Sequence, residues 1–446
     1  MTFEQAKTAL EQNGQSHVLR FWDRLDALER EALLSQVDGL DFPSIARMQG
    51  LLASKRAAGA APEPAAPEVI ELTGKARAAA VAAGEAELRA GKVAVLLVAG
   101  GQGSRLGYDG PKGAYVIGPI SNKPLFYFHA RKIVARSRKY GVRIPFYVMT
   151  SEANDAATRQ HFEEHGFFGL DPRDVTFFRQ GMWPALDAHG KIILDRPGHI
   201  FMSPDGHGGT LGALEKNGCI SDMARRGIGS IFYFQVDNPL VEIADPAFIG
   251  LHVSRGADIS LKLCAKRDPK EGLGVVVVRD GRYEMVEYTE LTDEQAHRTT
   301  PSGDLYFKYG SVAIHIFSFA FLQAEAGRPL PLHVAHKKIP VCADDGTEIK
   351  PEKSNGYKFE KFIFDVLPDA KTVVNLAFDR AEEFSPVKNA TGHDSPATCR
   401  HDMQAKWLRW LGAAGLTPLQ THIEIDPAYA LDAHELKAKG LLLEAR

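Results

Sequence analysis

The chain has 446 residues, 44% of them hydrophobic and 24% charged, which is room for about three lobes and a sizeable core. Lys plus Arg number 53 against 56 for Asp plus Glu, and the resulting net charge of −3 argues against an electrostatic nucleic-acid binder. Four cysteines stand far apart with no CxxC pair, which argues against a disulfide scaffold or zinc ribbon. No apolar run reaches the ~18 residues of a membrane span.

MTFEQAKTAL has no basic stretch followed by an apolar run, so the reading is of a soluble, cytoplasmic protein without membrane partners. Residues 1 to about 56 predict helices, from Phe3, Ala6 and Leu10 and then Val18, Phe21, Leu25 and Leu28 at helical spacing. AAGAAPEPAAPE (57–68) lacks bulky apolar residues and predicts a surface linker. A further helix is expected over Lys75–Ala90. We therefore expect a helical N-terminal region over 1–90, a central domain over 91–378 and a small C-terminal lobe over 379–446.

Past Lys92 strands alternate with helices. VAVLLVAGG (Val93–Gly101), IPFYVMTS (Ile144–Ser151) and GSIFYFQVDN (Gly229–Asn238) are apolar runs suited to strands buried on both faces. Leu125–Gly141, Asn154–His165 and Pro246–Arg255 fit the intervening helices. This alternation predicts an α/β fold with a parallel sheet. Between Asp258 and Ile316 strands follow one another with short turns, which predicts a more antiparallel region beside it. Helical patches at Cys399–Gly412 and Asp432–Glu444 mark the last segment.

The most specific chemical signal is LLVAGGQGSRLGYDGPKG (Leu96–Gly113). A buried strand runs into Gly100, Gly101, Gly103 and Gly107, and such glycines let backbone N–H groups approach phosphates. Arg105 and Lys112 stand in the same loop as cationic partners for phosphate oxygens. A Rossmann fingerprint needs GxGxxG and an acidic residue ending the second strand, which here ends in Met149, Thr150 and Ser151. A P-loop fits poorly, because no GlyLysSer or GlyLysThr closes the loop. HFEEH (His161–His165) matches the inverted zinc-protease pattern, but its place at the end of a short helix predicts a solvated face instead.

GGQGSRLG…PKG resembles the signature of the UDP-sugar pyrophosphorylases, the UTP:sugar-1-phosphate uridylyltransferases. FRQGMWPALDAHGKIIL (Phe178–Leu194), MSPDGHGG (Met202–Gly209), FQVDNPLVEIADP (Phe234–Pro246) and VEYTE (Val286–Glu290) continue the series. HKKIP (His336–Pro340), FEKFIFDV (Phe359–Val366) and EFSPVKN (Glu383–Asn389) complete it. In that order the blocks resemble the eukaryotic-type UDP-N-acetylglucosamine pyrophosphorylase branch over roughly two thirds of the chain.

The resemblance implies a nucleotidyltransferase-type (Rossmann-like) mixed sheet and a transfer of uridylyl from UTP to a sugar 1-phosphate, N-acetylglucosamine 1-phosphate first, with release of pyrophosphate. It implies catalytic roles for Arg105, Lys112 and Lys388, and Gln180 at the uracil edge. Gly206, His207 and Gly208 would line the uridine. Gly100, Gly101, Gly103, Gly274 and Glu287 would serve substrate binding, and Asp237 would bind substrate and Mg²⁺ near the phosphates. Read from the residues alone, Asp237 also suits a helix cap, Gly208 a turn and Lys388 a solvated surface lysine. The branch usually carries asparagines in a GNIANH-like run, where this chain has GSVAIHIF (Gly310–Phe317) with Ser311 and Ile314. A UDP-glucose or UDP-galactose pyrophosphorylase and a non-catalytic UDP-sugar sensor are the alternatives. The sequence leaves the oligomeric state open.

Overall fold

The structure is a computed structural model that describes residues 1–54, 63–417 and 422–440. Its chain forms two compact units, one of residues 1–61, 180–210 and 329–365, the other of residues 62–179, 211–328 and 366–446. The consecutive division expected from composition is therefore replaced by an interleaved one. Boundaries at 179, 210, 328 and 365 fall where no linker composition marks them.

In the first unit, helices α1 (Phe3–Gln12), α2 (Ala27–Asp38) and α3 (Phe42–Ala53) start at Thr2, Asp26 and Asp41, whose side chains accept N–H groups of the first turn. Thr2 with Gln5 and Asp26 with Glu29 form capping boxes. Val18, Phe21 and Leu25 are buried, but the chain there makes short 3₁₀ turns, and Leu28 opens a new helix on its exposed side. The helices pack Leu10, Phe21, Leu33 and Met48 against Trp183, Leu194, Ile200 and Phe359 of short antiparallel strands. Two glutamines make the helices part of the β layer. Buried Gln15 donates to the Gly190 carbonyl at 3.0 Å and accepts the Ile192 N–H at 2.9 Å. Gln36 exchanges the same pair of bonds with Ile200, at 3.1 and 2.9 Å.

The second unit is built on a nine-stranded sheet. Its strands are β1 (Val93–Val98), β2 (Phe146–Thr150), β3 (Val175–Arg179), β4 (Ser230–Gln235), β5 (Ile259–Ala265), β6 (Val275–Arg279), β7 (Arg282–Val286), β8 (Tyr309–Ser318) and β9 (Val373–Phe378). The path runs β7-β6-β8-β4-β1-β2-β3, while β5 pairs with both β8 and β9. β4, β1, β2 and β3 are mutually parallel, whereas β8 runs antiparallel to β4. This is the mixed α/β sheet expected. β2 and β3 lie on one side of β1 and β4 on the other, so strand order reverses between β1 and β4. Open α/β sheets bind ligands beyond the strand ends at such a point.

Helix α4 (Gly74–Arg89) belongs to this unit rather than to the N-terminal helices. It crosses helix Pro246–Ser254 where two glycines meet: a Cβ on Gly84 would lie 1.9 Å from the Pro246 carbonyl oxygen, and one on Gly250 would lie 1.7 Å from that of Ala80. Residues 57–62 of the expected linker lie outside the described residues, and its remainder is structural. Ala65 pairs with Val278, and Ile70 with Leu376. The last segment is no separate lobe either. Helix Pro396–Ala414 buries Cys399, Met403 and Trp407 against Ile117, Leu125, Phe128 and Leu240.

Candidate functional site

In the second unit the glycine-rich loop leaves β1 and folds back on itself. Gly103 N–H donates to the Gly110 carbonyl at 2.9 Å and Lys112 N–H to that of Gly101 at 3.0 Å. Gly107 turns the chain at φ 70°. A Cβ on Gly113 would sit 2.1 Å from the Phe126 ring, whereas one on Gly101 meets nothing, so Gly101 presents bare backbone to open space. Buried Asn154, which the sequence reading missed, fixes the loop's root. Its Nδ2 donates to the carbonyls of Ala99 (2.9 Å) and Gly101 (3.2 Å), while its Oδ1 accepts the Ser151 N–H.

Asp237 stands two residues beyond β4, next to the loop, because Val236 N–H donates to the Val98 carbonyl at 3.1 Å. It caps no helix; the cap of Pro246–Ser254 is Asp245. Its carbonyl accepts the Val387 N–H at 2.8 Å, which carries Lys388 to the same strand end. Buried Asn238 secures that join by donating to the Glu383 carbonyl (2.7 Å) and accepting the Ser385 N–H (3.1 Å). Among the described residues, no protein hydrogen bond or ion pair engages the side chains of Arg105, Lys112, Lys388 or Asp237. Lys388 Nζ lies 6.0 Å from the centre of the Phe384 ring, and three cations and one carboxylate thus stand here without a hydrogen-bond or ion-pair partner among the described residues.

Gly274 and Glu287 flank the Val275–Val286 pair of the β6–β7 hairpin, and a Glu287 carboxylate oxygen lies 3.5 Å from where a Gly274 Cβ would be. Ser311 N–H donates to the Gly274 carbonyl at 2.8 Å, so the altered GSVAIH run joins this pair. A bulge between Ser311 and Ile314, with Ala313 at φ 57°, shapes the strand there.

The first unit holds Gln180, Gly206, His207 and Gly208 together. Gly181, next to Gln180, accepts the Asp205 N–H at 3.0 Å. Gly208 N–H donates to the Lys361 carbonyl at 2.9 Å, and a Cβ on Gly206 would lie 2.5 Å from that same oxygen. The FEKFIF segment therefore clamps the SPDGHGG turn. His207 stacks on Phe362 (5.3 Å between centroids) and its Nδ1 accepts the Ile363 N–H at 3.1 Å. Burial pulls its pKa down to about 4, so the ring is neutral and leaves Nε2–H as its remaining donor. Asp205 is 4% exposed, and burial pushes its pKa up to about 6 against the pull of Lys361, whose Nζ is 3.6 Å away.

Metal geometry separates two readings. Among the described residues, the one set of three clustered donors is Glu242, Asp245 and Glu383, and the Lys262 ammonium already bridges Asp245 (2.8 Å) and Glu383 (2.6 Å). His161 and His165 belong to no three-donor set, and His165 Nδ1 is paired with the carbonyl of His161 (2.8 Å). Asp237 offers a single carboxylate, which suits Mg²⁺ completed by phosphate oxygens and water.

A mixed α/β sheet whose parallel half carries a glycine-rich loop, with cationic side chains at its switch point, is the architecture of a nucleotide-handling protein. A family model described as UTP–glucose-1-phosphate uridylyltransferase matches residues 69–393, and the chain belongs to that family of nucleotidyltransferases. The chain is 40% identical over 442 residues to the human UDP-N-acetylhexosamine pyrophosphorylase-like protein 1, covering 94% of this chain and 87% of that one. It is 36% identical to UDP-N-acetylglucosamine diphosphorylase 2 of Arabidopsis thaliana, covering 96% and 90%. The uridine diphosphate N-acetylglucosamine pyrophosphorylase of Trypanosoma brucei superposes with a TM-score of 0.84 at 27% identity, covering 98% of this chain and 94% of that one.

Proposed function

We propose that this protein catalyses UTP + N-acetylglucosamine 1-phosphate ⇌ UDP-N-acetylglucosamine + pyrophosphate. The observation that carries the reading is the set of side chains without hydrogen-bond or ion-pair partners at the β1–β4 switch point, within a chain that has relatives named UDP-N-acetylglucosamine diphosphorylase and pyrophosphorylase. A phosphate oxygen of the sugar 1-phosphate attacks the α-phosphorus of UTP in line. The new P–O bond forms as the α–β bridging bond breaks, and the bridging oxygen leaves with pyrophosphate. No covalent enzyme intermediate is required, so the protein positions the reactants and neutralises charge.

Arg105 and Lys112 sit on the glycine loop to hold the leaving pyrophosphate. Lys388 faces the transferred phosphoryl group. Gln180 reads the uracil edge and the Gly206–Gly208 turn takes the uridine. Gly274 and Glu287 take the sugar beside Ser311. Asp237 would hold Mg²⁺, which when bound neutralises phosphate oxygens.

Among the described residues, no helix is long and apolar enough to cross a membrane. The four cysteines are buried free thiols, which suits a reducing compartment, and we place the reaction in the cytoplasm. Pyrophosphate release from UTP and single sugar 1-phosphates tests the reading. Release with N-acetylglucosamine 1-phosphate ahead of glucose and galactose 1-phosphates is expected. Preference for glucose 1-phosphate would make the Ser311–Ile314 change a change of sugar.

A further inference from the structure

Behind the Lys388 segment lies a chain of ion pairs to which the reaction above gives no role. The Glu271 carboxylate is 8% exposed and accepts the Arg267 N–H (2.7 Å), Arg267 Nε (2.9 Å) and Arg380 Nη2 (2.8 Å to each oxygen). The other arm of Arg267 reaches Asp394, with Nη2 3.1 Å from Oδ1. Asp394 in turn holds the main chain of the Lys388 segment. Its carbonyl accepts two main-chain N–H groups, from Lys388 (2.7 Å) and Asn389 (3.0 Å), and its backbone stands at φ 54°. Aspartate tolerates that left-handed conformation better than most residues, and here the two N–H groups on its carbonyl hold it there.

We propose that Glu271, Arg267 and Asp394 form a positioning relay that sets the Lys388 ammonium for transfer. Glu271 fixes the guanidinium of Arg267, the guanidinium fixes Asp394, and the Asp394 carbonyl fixes the main chain of Lys388. From the other side Lys388 is tied to Asp237 through Val387. Two carboxylates bridged by one planar fork give direction as well as charge, which a lysine at 267 would not reproduce. This inference rests on the catalytic role assigned to Lys388.

A double-mutant cycle on the full-length protein tests it, with turnover of UTP and N-acetylglucosamine 1-phosphate and thermal unfolding read in parallel. Glu271→Gln is expected to lower kcat by about tenfold or more with a smaller change in the KM for UTP. In a Lys388→Ala background the same substitution is expected to cost less than about twofold, since a group acting only through Lys388 has nothing left to position. Arg267→Lys should fall between wild type and Glu271→Gln. If Glu271→Gln fails to fold, Asp394→Asn replaces it, because asparagine tolerates the left-handed backbone and removes the charge that Arg267 grips.

Equal fold-losses in both backgrounds would overturn the relay while leaving the role of Lys388 intact. Full kcat in Lys388→Ala alone would remove the role of Lys388 and the relay with it.

Discussion

The proposed chemistry leans most heavily on Arg105. It is exposed on the glycine loop and has no ion pair among the described residues, whereas Arg159 is paired with Asp155 at 2.8 Å. In the proposed reaction this unpaired arginine is the one that meets the leaving pyrophosphate. Arg105→Ala should therefore lose about a hundredfold in kcat, the scale of a single charge stabiliser in a transition state, with unfolding unchanged; steady-state pyrophosphate release checks the first and thermal unfolding the second. Gln180→Ala should narrow the preference for UTP over ATP while keeping part of kcat, and competition between the two nucleotides measures it.

Asp205 carries a pH signature. Its folded pKa of about 6 lies above the ordinary carboxylate value. Between those two values the native state holds the extra proton, so this group lowers stability as pH rises through the window, with the full cost present above it. Asp205→Asn should therefore raise the unfolding temperature relative to wild type at pH 8, and the gain should shrink toward pH 4.5. A gain that grows on acidification would contradict the burial argument. His207 pulls the opposite way in the same range, which is why the difference between variant and wild type is the informative quantity.

At the scale of elements, the glycine loop is held at its root by Asn154. Asn154→Ala leaves the Ala99 and Gly101 carbonyls without that partner and should cost about 1–3 kcal/mol in urea unfolding. It should slow turnover besides, because Gly101 is where the backbone is open. The α4 crossing makes a cruder demand. Gly250→Ala would drive a methyl into the Ala80 carbonyl, and a main-chain clash between packed helices cannot relax cheaply. A drop of several degrees in unfolding temperature is expected.

These elements also show what the sequence makes legible. VAVLLV announces β1 because a strand buried on both faces is apolar throughout, and a glycine-rich loop after such a strand is a local signal. Asn154 was missed because one polar residue at a helix start looks like any cap; its partners are carbonyls more than fifty positions earlier. Gln15 and Gln36 were missed for the same reason, since their partners lie about 165 to 175 positions away. The Val18–Leu28 periodicity misled because Val18 is buried from a 3₁₀ turn and Leu25 from the extended residue after a second one, after which the Asp26 capping box starts a new helix.

For the molecule as a whole, the chain weaves between its two units instead of laying down three lobes in sequence. The N-terminal helices supply core and hydrogen bonds to strands that come almost two hundred residues later. Removing residues 1–54 should therefore give insoluble or aggregated protein, not a deregulated enzyme; size-exclusion chromatography of the truncated chain checks this. A monodisperse, active product would mean that the helices only cover the surface. No composition shift marks the other crossings, so the interleaving is legible only once distant segments are seen to pair.

The most direct measurement is pyrophosphate release by the purified chain with UTP, Mg²⁺ and N-acetylglucosamine 1-phosphate, beside the N-acetylgalactosamine, glucose and galactose 1-phosphates. Release that requires a sugar 1-phosphate, is fastest with an acetylated sugar and falls about a hundredfold in Arg105→Ala is the predicted result. Tight UDP-sugar binding with no release from any member of the panel would contradict it, and would make this chain a sensor of UDP-sugars built on a transferase fold.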